Sequence, residues 1–377
     1  MEEWIGRAAA LEILGVKPQT LYAYVSRGRI RVRPDPVDSR KSLYSAIDIE
    51  DLRARRARGK GRSAVASSAM SWGEPSLGTT ISTVHQGQLI YRGHDAAKMA
   101  RSATWETAAA LLWQSHRPIA LSAENQNLRS EPFAALAALV PESYPSLGRN
   151  EEKLLADGEA AIASMACAFG AAPCHGPLHE RIVNGWGLDE SFRDAIRRAL
   201  VLLADHELNA STFAVRVAAS TGAPIAACLL AGLSALSGPR HGGAGAAAVA
   251  LLDDAGRHGA RRAVKRNLAA LRYLPGFGHP LYPTGDPRAV ALLEALPTDP
   301  LADELSAEAS DACGIKPNID FALAVFTRSA KMADDTPFRL FALGRSIGWV
   351  AHAIEQAGQA NLIRPRAHYS GTLPTQG

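Results

Sequence analysis

The sequence predicts a mainly helical body with two domains, preceded by a small basic domain at the N-terminus. With 377 residues, of which 47% are hydrophobic and 21% charged, the chain can bury a large core and has the composition of a globular protein. Runs rich in Ala, Leu, Glu and Arg are separated by Gly and Pro, and extended β-branched runs are scarce. Residues 1–62 hold 14 Lys and Arg against 8 Asp and Glu, whereas the remainder holds 27 against 29, so we expect different partners for the two parts.

The N-terminal segment has the pattern of two short helices joined by a tight turn. Residues 7–14 are predicted to be helical, a glycine follows, and Pro18 opens a second helix that runs to about residue 27. Basic and apolar residues then alternate over 27–33, as in a short β-wing, and 48–58 is predicted to be another helix. Together these elements indicate a helix-turn-helix arrangement.

Residues 1–57 resemble the winged helix-turn-helix domains of the MerR and excisionase type. The residues that carry this resemblance are 14–22 and 24–28. The resemblance implies possible DNA binding, with protein contacts as an equally open alternative. The residues that would read DNA are Gln19, Thr20, Tyr22 and Tyr24. Residues 58–75, rich in Gly, Ser and Ala, are predicted to be a linker.

Beyond the linker, long runs predict helices over 105–114, 151–169, 190–204 and 257–271. The longest apolar stretches are shorter than the roughly 20 residues that a bilayer span needs, so we expect buried helices and no membrane partner. No signal-peptide pattern opens the chain, and the four cysteines form neither a CxxC pair nor a cluster with zinc spacing. We therefore expect a cytoplasmic protein without a metal site.

Motifs for several chemistries are missing from the sequence. It contains no GxxxxGK[ST] phosphate loop, no GxSxG elbow and no HExxH zinc motif. Gly276-Phe277-Gly278 is a lone GxG without a third glycine or a preceding strand, which argues against a dinucleotide fold.

Three segments place titratable residues among glycines or at predicted helix ends. They are 205–212, 238–244 and 276–282, the last followed by Asp286-Pro287-Arg288. Glycine beside a histidine lets the backbone approach a ligand closely. A single histidine of this kind is usually structural, but three such segments in one helical chain indicate a catalytic site.

These segments, in this order and spacing, resemble the citrate synthase family over about residues 76–372. The matching stretches are Leu89–Asp95, Leu111–Trp113, His206–Phe213, Pro239–Ala244, Gly276–His279, Asp286–Arg288, Asn318–Phe321, Leu340–Arg345, Gly348–His352 and Arg364–Arg366. The resemblance implies large and small helical synthase domains with the active site in the cleft between them. It also implies condensation of an acyl-CoA with oxaloacetate.

The reaction removes a weakly acidic proton next to a thioester and adds the resulting enol to a ketone. It needs a base at the carbon and a hydrogen-bond donor to the thioester oxygen at the same time. By resemblance, Asp320 is the base, His241 is the donor as a neutral imidazole, and His279 protonates the ketone oxygen. Arginines near Asp320 would lower the pKa of its carboxyl group and burial would raise it, a balance that the sequence leaves open.

The second substrate is a diacid, and arginine binds carboxylates bidentately. The residues implied for oxaloacetate are His206, Arg288, Arg345 and Arg364, and those implied for backbone contacts to CoA are Gly276 and Gly278. Arg288 and Arg345 have an alternative as ion-pair residues, and Arg366 competes with Arg364. In the family the last arginine serves the partner's site, which implies a homodimer with shared active sites. No metal or bound cofactor is implied, because acyl-CoA enters as a substrate.

Three departures from the family pattern concern CoA. Pro283 occupies a position that is commonly Lys or Arg and reaches the CoA phosphates, Gly245-Ala246 replaces Asn-Glu, and 322–324 replaces Tyr-Ser-Gly. Lys316 is a candidate substitute for the missing cation. The acyl chain is therefore open, including propionyl-CoA and 2-methylcitrate synthesis, and so is citryl-CoA cleavage.

The domain prediction is 1–57 for the helix-turn-helix domain, 76–224 with 336–377 for the large synthase domain, and 225–335 for the small one.

A second hypothesis is a DNA-binding regulator that senses a metabolite with the synthase fold. The full set of acid–base residues favours the enzyme, because a sensor needs none of them.

Overall fold

Helices make up most of the computed structural model, which describes residues 4–14, 16, 20–21, 24–25, 30–35, 38, 42–50, 77–122, 131–359, 361–365 and 371. The chain divides into two compact units, one formed by Met1–Leu77 with Arg364–Gly377 and the other by Gly78–Ile363. The mainly helical body predicted from the sequence is confirmed.

The first unit contains a three-stranded antiparallel sheet and a short helix. The elements are β1 (Trp4–Gly6), α1 (Arg7–Leu14), β2 (Val32–Pro34) and β3 (Ser42–Ser45), with strand order β1-β3-β2. Its small core is formed by Ala10, Leu14, Leu21, Ile30, Tyr44 and Ile49. Helix α1 coincides with the predicted first helix. Only Val16 of the predicted turn is described, and the predicted linker lies outside the described residues, so the winged helix-turn-helix assignment stays a prediction.

The second unit begins with a meander of three short strands that the sequence analysis did not anticipate. Its strands are β4 (Ser82–His85), β5 (Gln88–Tyr91) and β6 (His94–Asp95). Gln86 and Gly87 connect β4 to β5 with φ values of 50° and 74°, the conformation of a two-residue hairpin turn that matches the twist of the strands.

The helices of the second unit follow in chain order. They are α2 (Ala96–Met99), α3 (Trp105–Trp113), α4 (Pro132–Leu139), α5 (Glu151–Ala168), α6 (Leu178–Trp186), α7 (Arg193–Leu202), α8 (Ala210–Ser220), α9 (Ile225–Leu236), α10 (Ala244–His258), α11 (Ala260–Leu271), α12 (Pro287–Leu293), α13 (Pro300–Cys313), α14 (Ile319–Ser329) and α15 (Thr336–Gln359). No helix in the described ranges is both long enough and apolar enough to cross a membrane.

Two hydrophobic cores support these helices. The larger core surrounds α15 and includes α9, and the smaller core packs α10, α11 and α13 together. Helix α14 contributes Phe321 to the smaller core and Ile319 to the larger one. The start of α14 is therefore held by both cores. The predicted boundaries of the small domain, 225–335, remain a prediction.

Helix α15 packs unusually closely against the segment that follows α7. A Cβ atom added at Gly344 would lie 2.6 Å from the Cβ of Leu203, and one added at Gly348 would lie 2.3 Å from the carbonyl oxygen of Ala204. The backbone N–H of Gly348 donates to that same carbonyl over 3.1 Å. These two glycines are about one turn apart. Because neither has a side chain, the helix that carries Arg345 can pack directly against the segment that leads to His206.

Candidate active site

His206 lies at the centre of the predicted site residues. Its ring centroid is 5.2 Å from that of His279, and its Nε2 atom is 2.9 Å from the hydroxyl of Tyr282. Burial lowers the pKa of His206 well below its usual value, and the positive charges of Arg288 and Arg345 lower it further. The ring is therefore neutral at pH 7 and can form hydrogen bonds without adding charge.

His241 lies in the turn between α9 and α10 and contacts the start of α8. Its Nε2 atom is 2.9 Å from Oγ of Ser211 and 3.2 Å from Oδ1 of Asn209. Burial, followed by the charge of Arg345, lowers the pKa of this imidazole to about 4. His241 is thus neutral at pH 7, and its role as a hydrogen-bond donor stays a prediction.

His279 lies in the turn that leads from α11 to α12, where a backbone contact sets its tautomer. The N–H of Leu281 donates to Nδ1 over 3.1 Å, so a neutral ring carries its proton on Nε2. Burial and the charge of Arg288 lower the pKa to about 4, although Asp286 acts in the opposite direction. Nε2–H is therefore available as a donor near neutral pH.

Arg288 makes a buried ion pair. Asp286 accepts hydrogen bonds from Nε and Nη2 of Arg288 over 3.0 and 2.8 Å. The same carboxylate accepts the backbone N–H of Ile319 over 3.1 Å, which ties α12 to the first turn of α14. Arg288 is therefore an ion-pair residue, the alternative raised from the sequence, through one edge of its guanidinium group. The same ion pair also orients that group.

Arg345 is different, because its charge has no ion pair among the described residues. Nε donates to the carbonyl oxygen of Leu203 over 2.8 Å, whereas Nη1 and Nη2 are buried without a hydrogen-bond partner. Burial lowers the pKa of the guanidinium group to about 10, which still leaves it charged at pH 7. Unsatisfied buried donors are unfavourable, so two parallel N–H groups here favour an anion with two oxygens.

Asp320 lies in the first turn of α14, where Asn318 caps the helix. Asn318 Oδ1 accepts the N–H of Asp320 over 3.0 Å, and its Nδ2 donates to the carbonyl of Gly278 over 2.9 Å. Asp320 keeps part of its surface accessible, yet burial raises the pKa of its carboxyl group to about 6 despite the opposing charge of Arg288. Burial therefore decides the balance that the sequence left open.

The two glycines predicted to contact CoA shape the turn beside Asp320. Gly276 and Gly278 have φ values of 79° and 72°, a region that glycine adopts without strain. The N–H of Gly278 already donates to the carbonyl oxygen of Lys316 over 2.8 Å, and the carbonyl oxygen of Gly276 accepts the N–H of Asn318 over 2.9 Å. Their contact with CoA stays a prediction.

Arg364 belongs to the other compact unit and is exposed, so its predicted role in a partner's site also stays a prediction. Arg366 lies outside the described residues. His175 is exposed and His179 is buried on α6, and neither contacts the predicted site residues among the described residues.

Several residues that build the site had no role in the sequence analysis. Tyr282 contacts His206, Asp286 holds Arg288, and Ser211 contacts His241. All three lie within or beside the histidine segments that the sequence singled out. Their positions in these segments could have marked them as candidates, but their hydrogen-bond partners are evident only from the folded structure.

A buried polar network continues from the site toward the end of α15. Asp205, the neighbour of His206, accepts hydrogen bonds from Ser82 and from Nε2 of His352. Nδ1 of His352 is 3.4 Å from the guanidinium group of Arg216, which pairs with Glu355. This network ties α8 to α15 and ties α15 to the segment that carries His206.

These contacts form a candidate enzyme site for acid–base chemistry on an anionic substrate. It combines a buried arginine without an ion pair among the described residues, three neutral histidines and a carboxyl group of raised pKa. A family model for the citrate synthase C-terminal domain matches residues 149–366. The chain belongs to the citrate synthase family.

Individual relatives are consistent with this assignment. Citrate synthase 2 of Bacillus subtilis is 28% identical over 345 residues, which cover 78% of this chain and 93% of the relative. A 2-methylcitrate synthase of Mycobacterium tuberculosis is 35% identical over 190 residues, which cover 47% and 48%. The citrate synthase of Thermoplasma acidophilum, solved with carboxymethyl coenzyme A and oxaloacetate, matches with a TM-score of 0.66 and 25% identity, covering 82% of this chain and 97% of that one.

Proposed function

We propose that this protein condenses acetyl-CoA with oxaloacetate and water to give citrate and CoA. The observation that carries the proposal is the buried guanidinium group of Arg345, whose two free nitrogens match a carboxylate. His206 and Arg288 are within the same cluster and supply further contacts for a diacid. The family and the names of its relatives support the same reaction.

Asp320 is the proposed base. At pH 7 a carboxyl group with a pKa of about 6 is mostly ionised, yet it binds a proton more readily than an exposed aspartate. It takes the proton from the carbon next to the thioester while His241 donates a hydrogen bond to the thioester oxygen. Because the base and the hydrogen-bond donor act at the same time, a full enolate does not have to form.

The tautomer of His241 is set by Ser211 in this proposal. Oγ of Ser211 accepts from Trp349 over 3.2 Å and donates its proton to Oδ1 of Asn209 over 2.7 Å. The proposal requires this proton to turn to Nε2 of His241, which is 2.9 Å from the same oxygen. The imidazole proton then lies on Nδ1, where it can meet the thioester oxygen. The closeness of the two groups makes Ser211 a positioning residue for His241.

The enol carbon attacks the ketone carbon of oxaloacetate. His279 donates from Nε2–H to the ketone oxygen, which becomes the hydroxyl group of citryl-CoA. Water then hydrolyses the thioester and releases citrate and CoA with its free thiol. No step requires a metal or an oxidant, because no electrons leave the substrates.

This chain has Pro283 where the family commonly has a cation that reaches the CoA phosphates. We propose that Lys316 takes over this contact. Lys316 lines a groove of about 660 Å³ on α13 together with Ser306 and Ser310, and its backbone carbonyl binds Gly278. Its ammonium group donates to the hydroxyl of Ser310 over 3.1 Å and carries no ion pair within the described residues. Lys316→Ala should raise KM for the acyl-CoA and leave KM for oxaloacetate unchanged.

The N-terminal unit is proposed to be the winged helix-turn-helix domain, joined by a linker to the large and small synthase domains at the boundaries given above. The antiparallel sheet around Tyr44 and the basic charge of 1–62 support this assignment. Salt-sensitive binding in a mobility-shift assay tests DNA as its partner, and sedimentation tests the proposed homodimer. The regulator hypothesis is not carried further, because the site retains its acid–base residues.

The experiment that tests the proposed reaction is thiol release from acetyl-CoA and from propionyl-CoA, each with and without oxaloacetate. Release that depends on oxaloacetate supports condensation, and the faster thioester separates citrate from 2-methylcitrate synthesis. Release that does not depend on oxaloacetate, or no release at all, contradicts the proposal.

A further inference from the structure

A cavity of about 380 Å³ lies among α3, α5 and α15, and none of the proposed catalytic residues lines it. Its volume falls in the range of sites for small ligands. Half-buried Ile354 and Ala357 give it apolar surface, Leu112, Trp113 and Leu154 beside them are buried, and charged side chains stand on its wall. The cavity therefore combines a polar and charged wall with a smaller apolar surface.

Two of the four charged side chains on the wall are already neutralised. Both terminal nitrogens of Arg149 bind the carboxylate of Asp157. Glu355 accepts the backbone N–H and the hydroxyl of Thr80 over 2.9 and 3.1 Å, and it pairs with Arg216. Neither Arg149 nor Glu355 needs a ligand to compensate its charge.

The other two charges have no ion pair within the described ranges. Arg92 donates from Nε to the carbonyl of Leu112 and from Nη1 to the hydroxyl of Thr80, both over 2.9 Å, so all its acceptors are neutral. Burial lowers the pKa of Arg92, while the carboxylates of Glu355 and Glu151 oppose that shift. Glu151, the first residue of α5, is exposed and makes no side-chain hydrogen bond there.

Ser146 adds an unsatisfied hydroxyl to the same wall. The residue is 1% exposed, and its Oγ atom has no hydrogen-bond partner in the part of the chain that the structure describes. Its backbone N–H is used by the carbonyl of Gly222 over 3.0 Å, which fixes the residue in place. A buried hydroxyl without a partner is uncommon and favours a polar ligand group at this position.

We propose that this cavity binds a small zwitterion with an apolar body, of the class of α-amino acids with apolar side chains. The carboxylate pairs with Arg92, the ammonium group pairs with Glu151, and the apolar body covers Ile354 and Ala357. One unpaired charge of each sign on the wall selects a ligand with both charges over one with either alone. This site is separate from the proposed reaction, and its binding is measured without turnover.

Calorimetric titration of the full-length protein with three probes tests the proposal. L-leucine carries both charges, 4-methylpentanoate lacks the ammonium group, and 3-methylbutylamine lacks the carboxylate. The expected result is saturable heat with leucine and weaker binding of both analogues. No saturable heat with leucine, or equal binding of leucine and one analogue, overturns the proposal.

A matched pair of variants locates the ammonium contact. Glu151→Gln should weaken leucine binding by about three- to fivefold, the effect of losing an exposed ion pair, and should abolish the preference for leucine over 4-methylpentanoate. Glu152→Gln removes the same charge from the next residue of α5, which does not line the cavity, and should leave both values unchanged. Equal affinities for leucine in the two variants overturn the assignment.

Arg92→Gln provides an independent test of the carboxylate contact. A partly buried charge-assisted hydrogen bond is stronger than an exposed pair, so leucine affinity should fall by about tenfold or more. Circular dichroism establishes that the variant is folded. Retention of wild-type affinity in folded Arg92→Gln overturns the proposal.

Discussion

The hydroxyl of Tyr282 lies 2.9 Å from Nε2 of His206, and both groups are held in their neutral forms. Burial raises the pKa of Tyr282 to about 12 and lowers that of His206 well below its usual value. The tyrosine therefore keeps its proton and can donate it in a hydrogen bond to the imidazole. This contact fixes the ring of His206 beside His279, where the ketone substrate is proposed to lie.

Tyr282→Phe should raise KM for oxaloacetate by about five- to tenfold, because a buried hydrogen bond that orients His206 is lost. Steady-state kinetics at a saturating acyl-CoA concentration measure the change, and kcat should fall less. Tyr273→Phe, at an exposed tyrosine, is the matched control and should leave both constants unchanged. An unchanged KM in Tyr282→Phe contradicts the proposed role of this hydrogen bond.

The activity should depend on pH through Asp320. Its pKa of about 6 means that the base is ionised above pH 6 and protonated below it. His241 and His279, with pKa values of about 4, stay neutral over the same range. We expect kcat/KM to be level above about pH 7 and to fall about tenfold per pH unit below pH 6. A fall of kcat/KM that is centred near pH 4 would contradict this prediction, because groups other than Asp320 would then cause it.

Arg345→Lys should lose most of the stabilisation that oxaloacetate gives to the fold. A ligand at a hundred times its Kd stabilises a protein by about 2.7 kcal/mol, which appears as a higher Tm. Lysine keeps the charge of Arg345 but cannot present two parallel N–H groups to a carboxylate. Thermal melts with and without oxaloacetate measure the difference.

A second arginine on the same helix serves as the control for that variant. Arg339 pairs with Asp335 near the start of α15, away from the cluster, so Arg339→Lys should keep the wild-type increase in Tm. Equal increases in Arg345→Lys and Arg339→Lys would exclude Arg345 as the carboxylate ligand.

Gly348→Ala should destabilise the protein by about 1–3 kcal/mol and reduce activity, because the new methyl group would overlap the carbonyl of Ala204 and displace the segment that leads to His206. Gly358→Ala, on the same helix with no atom within 4 Å of the added Cβ, should be neutral or stabilising by up to about 1 kcal/mol. Chemical denaturation of both variants measures the contrast. Similar stabilities would contradict the close approach of α15.

The helices were largely predictable because they depend on local patterns of composition and capping. The run 151–169 predicted α5 to within one residue, since Asn150 caps its start. The prediction of one helix over 257–271 was less accurate, because Gly259 with a φ of 84° separates α10 from α11. Composition alone does not reveal a left-handed glycine between two helical runs.

The partners of the site residues were not predictable, because they come from distant parts of the chain. Asp286 and Ile319 are 33 positions apart, and only the packing of α12 against α14 brings them together. The pKa of Asp320 likewise depends on burial, which is a property of the fold. The sequence therefore predicted candidate residues whose catalytic roles stay predictions, and the structure adds how each of the described ones is held.

The most direct measurement is thiol release from acetyl-CoA in the presence of oxaloacetate, compared between the wild type, Asp320→Asn and Asp303→Asn. Asp303 is an exposed aspartate in the first turn of α13, so its variant should keep the wild-type rate. Loss of the general base in Asp320→Asn should lower the rate by about 10²- to 10⁴-fold, while oxaloacetate still raises its Tm. A wild-type rate in folded Asp320→Asn would contradict the assignment of Asp320 as the base.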